Sequence, residues 1–162
     1  MFQFKEINES IFKGKGYSGI GIFNGKTEIN MGLLLRSAAI WGNDFIFTIG
    51  KRYKAQKSDT TKSHLHVPTF SFETFEQFKS VIHPNVSIVA IEMGEKAKWI
   101  HDFNHPERAV YLLGAEDSGI PESILKQCNH VVKIAGEISL NVGVAGSIVL
   151  HDRFVKRFNN KI

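Results

Sequence analysis

Short apolar runs alternating with stretches of helical periodicity constrain this chain more than any other feature. "SGIGIF" (18–23), "DFIFTIG" (44–50), "VSIVAIE" (86–92), "RAVYLLG" (108–114) and "HVVKIA" (130–135) read as buried strands. Between them, "NMGLLLRSAAIWG" (30–42) and "FETFEQFKSVI" (72–82) repeat apolar residues at helical spacing. "PESILKQC" (121–128) opens a short helix with proline at its first turn. A closing helix is predicted from about Leu140 to Phe158. This alternation predicts an α/β fold with a mostly parallel sheet and helices on both faces. With 43% hydrophobic residues in 162, the chain can bury a core without disulfide or metal staples. No linker, repeat or low-complexity tract divides it. One domain over residues 1–162, with its core at about 18–158, is the expectation.

The lone Cys128 suits a reducing compartment. The opening "MFQFKEINES" lacks a signal pattern, and no apolar run approaches the ~18 residues of a membrane span. A soluble, cytoplasmic protein is expected. Its net charge of +4 is concentrated. Lys51, Arg52, Lys54, Lys57 and Lys62 face only Asp59 between Ile49 and Phe70, with Tyr53 among them. Arg153, Lys156, Arg157 and Lys161 face Asp152 near the end. Each patch alone fits a solvated surface. Together they fit a polyanion footprint, and the first five cations are the candidate RNA-binding residues.

In open α/β sheets ligands sit beyond the carboxyl ends of the strands. The segment "YLLGAEDSGIPESIL" (111–125) occupies such a position. Gly114 and Gly119 allow close backbone approach, and Glu116 either accepts hydrogen bonds from a ligand or caps the turn. "GKGYSG" (14–19) matches a dinucleotide fingerprint formally but precedes a strand, where that fingerprint must follow one. The histidine pairs His64/His66 and His101/His105 lack zinc-site spacing and cysteine support, so no metal site is predicted.

Three segments, "NMGLLLRSAAIWG", "YLLGAEDSGIP" and "SLNVGVAGSIVLHDRF", resemble in order the three motifs of the SpoU (TrmH-like) branch of the SPOUT RNA methyltransferases. The first is similar to N-x-G-x-x-x-R, on Asn30, Gly32 and Arg36. The second is similar to G-x-E-x-x-G-[LI]-P, on Gly114, Glu116, Gly119, Ile120 and Pro121. The third is similar to S-[LM]-N-[VL]-S-x-A, on Ser139, Leu140, Asn141, Val142 and Ala145. The chain departs from the pattern where "KTEIN" lacks a proline before Asn30, and where Gly143 replaces the second serine.

The resemblance implies a C-terminal trefoil knot, a homodimer, and methyl transfer from S-adenosylmethionine to a ribose 2′-hydroxyl of RNA. It implies a cofactor site of Leu113, Gly114, Glu116, Gly119, Ile134, Ser139, Leu140 and Asn141. It further implies a catalytic set of Arg36, Asn30, Ser139, Asn141 and Glu116. In that set Arg36 reaches the partner subunit's site. A guanidinium is not readily deprotonated, so Arg36 is read as gripping a phosphate and placing the 2′-hydroxyl. Asn30 is read as capping the first helix. Gly143 and Gly146 each cost on the order of 1 kcal/mol against alanine in a helix. They are read as letting the third motif lie against the loop after Gly114. The small size of the chain favours transfer RNA over ribosomal RNA. An RNA-binding module that kept the fold without catalysis is the alternative.

Overall fold

The computed structural model describes residues 16–52 and 67–159. Among them the chain forms β1 (Tyr17–Phe23), α1 (Glu28–Ile40), β2 (Phe45–Ile49), β3 (Thr69–Phe72), α2 (Phe75–Val81) and β4 (Ser87–Ile91). It continues through β5 (Lys98–Trp99), a short 3₁₀ turn (Ile100–Asp102), β6 (Arg108–Leu113), α3 (Glu122–Leu125), β7 (His130–Lys133) and α4 (Val142–Asn159). The strands form one sheet in the order β3-β2-β1-β6-β4-β7-β5, every pair parallel. The expected parallel α/β architecture is borne out. Two strands were not expected: β3 lies just before the predicted 72–82 helix and takes its first residue, Phe72, and β5 is two residues long. The helix starts late because Thr74 caps it, its side chain accepting a hydrogen bond from Gln77 N at 3.2 Å.

Register explains why the strands read as continuous apolar runs. Ile46, Ile20, Tyr111 and Val89 align across four strands, and all are fully buried. With Leu34 and Ala38 of α1, and Val149 and Leu150 of α4, they form the core on one face. Phe47, Val110, Ala90, Phe75, Phe78 and Ile124 form the core on the other, under α2 and α3. A parallel sheet covered on both faces needs apolar residues at successive positions. Each fully buried side chain of this kind contributes about 1.5–3 kcal/mol.

The α1–α4 crossing accounts for the glycines of the third motif. A Cβ on Gly146 would run into the Leu34 side chain, and one on Gly143 would lie 2.8 Å from Leu33 Cβ. Ser37 and Ser147 share a hydrogen bond of 2.7 Å across the same crossing. These glycines serve helix packing, not an approach to the loop after Gly114. That corrects the reading drawn from the sequence.

The far end of α4 is tied beneath the sheet. Buried Arg153 donates to Pro106 O (2.6 Å), Glu107 O (2.8 Å) and Tyr111 Oη (3.1 Å). Lys156 pairs with Asp152 at 2.7 Å and donates to Phe103 O. This part of the C-terminal basic stretch is thus consumed internally, not displayed to a polyanion; Lys161 lies outside the described residues. His105 bridges Tyr111 Oη (2.6 Å) and Asp152 Oδ2 (2.8 Å). Burial lowers its pKa from 6.5 to about 4, against the pull of Asp152. The folded state therefore resists a proton that the unfolded chain accepts. His105 contributes its full stability above about pH 6.5 and loses about 3 kcal/mol as pH falls toward 4. Urea unfolding at pH 7, 6, 5 and 4 should show this decline, with a flatter profile in His105→Gln. Equal profiles would remove His105 from the pH response.

Candidate active site

A cavity of about 510 Å³ opens at the carboxyl ends of β4, β6 and β7, among Ile91, Leu113 and Lys133. Two loops close it: residues 114–120 after β6 and residues 134–141 before α4. The first folds back on itself. Gly119 N donates to Ala115 O at 2.8 Å, and Gly119 takes φ +61°. A Cβ on Gly114 would sit 2.7 Å from Gly119 Cα, so glycine is required for this fold-back. Glu92 fastens the loop to β4, accepting from Ile120 N at 2.9 Å and Met93 N at 3.0 Å. Sequence reasoning missed Glu92. Its signal was an acid directly following the apolar run of β4.

Of the eight residues expected to hold a cofactor, Leu113, Gly114, Glu116, Gly119, Ile134, Ser139 and Leu140 line this cavity. Asn141 does not line it but sits behind its wall, bonded to Glu116. Leu113, Ile134 and Leu140 give apolar walls. Ile138, 84% exposed at the rim, adds an apolar side chain the sequence reading did not single out.

Behind the cavity the three motifs meet in one cluster. Asn30 Nδ2 donates to Glu116 Oε1 at 3.1 Å. Asn141 Nδ2 donates to the same oxygen and to Asn30 Oδ1, both at 2.9 Å. Asn141 Oδ1 accepts from Val144 N at 3.2 Å and so caps α4, while Asn141 O starts its hydrogen-bond ladder. Both asparagine amides are fixed by these partners, Asn30 with only 5% exposure. The capping role expected of Asn30 is corrected: Thr27 is the N-cap of α1, and Asn30 lies inside the first turn facing Glu116. Ser139 lines the cavity but is not part of the cluster.

Arg36 is not brought to this site within the chain. Six residues along α1 from Asn30, it is displaced by about 9 Å and about 120° around the helix axis. It is exposed, lines no part of the cavity, and has no hydrogen-bond or ion-pair partner among the described residues. Ile29, Leu33 and Ile40 share its helix face, 76%, 40% and 56% exposed. Val144, Ile148 and Val155 form a second exposed apolar stripe along α4.

Of the five candidate RNA-binding cations, Lys51 and Arg52 are described and exposed just beyond β2. Lys54, Lys57 and Lys62 lie outside the described residues, as do Tyr53, His64 and His66. The Arg52 guanidinium forks onto both oxygens of Asp117, at 2.6 and 3.0 Å, and its Nε donates to Asn24 O at 3.0 Å. That hydrogen-bonded pairing lowers the Asp117 carboxyl to about 2.

The family model described as the SpoU rRNA Methylase family matches residues 20–151. A structure concerned with 2-OH methylation of C/U34 on tRNA superposes with a TM-score of 0.77 at 19% identity, covering 88% of this chain and 97% of that one. The TrmH/SpoU tRNA modifying enzyme of A. aeolicus gives 0.77 at 18% identity, covering 97% and 85%. AviRb of Streptomyces viridochromogenes, in complex with AdoMet, gives 0.71 at 22% identity; this chain is 87% covered and spans 58% of that longer one. No curated protein sequence matches.

Proposed function

The chain belongs to the SpoU rRNA methylase family, and from that premise we propose that it transfers the methyl group of S-adenosylmethionine to a ribose 2′-hydroxyl of RNA, transfer RNA before ribosomal RNA. The observation that carries this reading is the cluster of Asn30, Glu116 and Asn141 on the wall of the cavity. It joins three segments far apart in sequence at the place where a ligand can sit.

The cavity fits the cofactor. Its volume falls in the range of small-molecule sites. Leu113, Ile134 and Leu140 suit the faces of an adenine, and Glu92, Glu116 and Glu122 outnumber Lys133 around it, which suits a cationic sulfonium. When bound, S-adenosylmethionine supplies the electrophilic methyl group. Glu116 holds the start of α4, through Asn141, against α1, through Asn30, so the cavity keeps its shape. Ser139 orients the ribose. Arg36 grips the phosphate next to the target and stabilises charge on the 2′-oxygen as its proton passes to solvent water. Because Arg36 lines no part of its own cavity, this reading includes a homodimer in which each Arg36 serves the partner's site. It also includes the C-terminal trefoil knot. Support for the knot is the crossover of the chain from β6 past β4 to β7 before α4 returns to pack on α1. The preference for transfer RNA is supported by the two tRNA-related neighbours of near-equal length.

Calorimetric titration with S-adenosylmethionine tests the cavity. One site per chain is expected, with affinity at least about tenfold weaker in Leu140→Glu, which puts a carboxylate on the proposed adenine wall. Unchanged affinity in that variant would remove this cavity from the account.

A further inference from the structure

The Arg52–Asp117 pair has no part in the cluster that shapes the cavity, yet its carboxylate partner Asp117 lines the cavity, and Arg52 reaches it from outside. Asp117 follows Glu116 directly, and the two carboxylates face opposite ways. Glu116 points to Asn30 and Asn141, and Asp117 points out to Arg52 and Lys26. Lys26 Nζ stands 3.9 Å from the same carboxylate, so two cations share one anion.

The base of Arg52 is anchored independently of Asp117. Its backbone N donates to Gly25 O at 2.8 Å and its Nε to Asn24 O at 3.0 Å, which fixes the side chain across the β1–α1 turn. What remains is a planar fork aimed outward, 36% exposed, on a carboxylate 43% exposed. A guanidinium fork fits a phosphate with the same bidentate geometry as a carboxylate. A solvent-exposed ion pair adds little stability, so exchanging one anion for the other is not costly.

We propose that Arg52, with Lys26, is the phosphate-receiving site at the mouth of the cavity, and that Asp117 holds the fork in place until an RNA backbone phosphate displaces it. This rests on the reading that the chain acts on RNA. It assigns Asp117 a role opposite to that of its partner. Arg52 binds RNA, and Asp117 competes with RNA.

The test is binding of unfractionated transfer RNA, with total ribosomal RNA in parallel, to the full chain across a salt series. Arg52→Ala should weaken binding about tenfold and make the log–log salt slope shallower by about 0.7–0.9, the value of one phosphate contact. Asp117→Asn should instead strengthen binding about threefold. The gain should vanish when Asp117→Asn is made in the Arg52→Ala background, whereas a general loss of negative charge would leave it intact. If both single substitutions weaken binding, Arg52 is a clasp between loops and the inference is overturned. A gain that persists without Arg52 overturns it as well. If the unsubstituted chain binds neither RNA, the underlying reading fails and takes the inference with it. If that chain binds and methylates RNA while the variants move together, only the inference fails.

Discussion

Arg36→Ala is expected to lower methyl transfer by at least about 100-fold with the fold intact, the scale of loss seen when one preorganised charge-stabilising donor is removed. The expectation follows from the placement of the side chain. A cationic side chain in the middle of an apolar helix face, exposed and without a partner among the described residues, does nothing for the stability of the monomer. Its removal therefore should not disturb circular dichroism or urea unfolding. Single-turnover assays with labelled S-adenosylmethionine should show the loss in the rate, with cofactor affinity retained, because Arg36 lines no part of the cavity. Arg36→Lys keeps the charge but not the fork, and should fall between the two. Near-normal turnover in Arg36→Ala would exclude it from the mechanism.

Disrupting the apolar stripe should be as damaging, without touching a reacting group. Ile148→Asp places a charge between Val144 and Val155 on the outer face of α4, where the monomer tolerates it and a paired surface does not. Ile29, Leu33, Ile40, Val144, Ile148 and Val155 leave apolar surface uncovered on α1 and α4, and covering it in a dimer would favour association. Sedimentation should report a monomer, and methyl transfer should drop by about 100-fold, because Arg36 then has no partner cavity to enter. A stronger form of the test mixes subunits. Arg36→Ala and Leu140→Glu chains should each be nearly inactive, yet random pairing gives one intact site in each mixed dimer, about a quarter of all sites. Recovery to that level would place Arg36 and the cavity on different chains. An inactive mixture would place them on the same chain.

The architecture was legible because both faces of a parallel sheet must be apolar. That requirement writes strands such as "SIVAI" and "RAVYLL" as short apolar runs, told from buried helix by their length and their flanking turn residues. The exceptions were edge elements. β3 carries only four residues and leads directly into helical periodicity, and β5 pairs through Lys98 and Trp99 alone. The loop after β6 could be anticipated because ligands gather beyond strand ends, and the rest of the cavity through the resemblance carried by the three motif segments. The resemblance put Asn30, Glu116 and Asn141 in one catalytic set, but their direct hydrogen bonds were not legible. Asn30 reaches Glu116 across 86 positions and Asn141 across 111. Local sequence presents Asn30 simply as a residue suited to cap a helix. The glycines of α4 were misread for the same reason, since Leu33 and Leu34 meet them only through tertiary packing. Charge was the least reliable guide. Arg153 and Lys156 count as basic residues in a composition, yet both are spent on carbonyls and on Asp152 beneath the sheet.

The product of the reaction is the most direct test of methyl transfer to ribose. Purified protein, S-adenosylmethionine carrying a deuterated methyl group, and separated transfer and ribosomal RNA can be incubated together and the RNA digested to nucleosides for mass spectrometry. The label is expected on the ribose of one 2′-O-methylated nucleoside from transfer RNA and is expected to be absent with Arg36→Ala. Label found on a base, or in neither RNA, would contradict the proposed function.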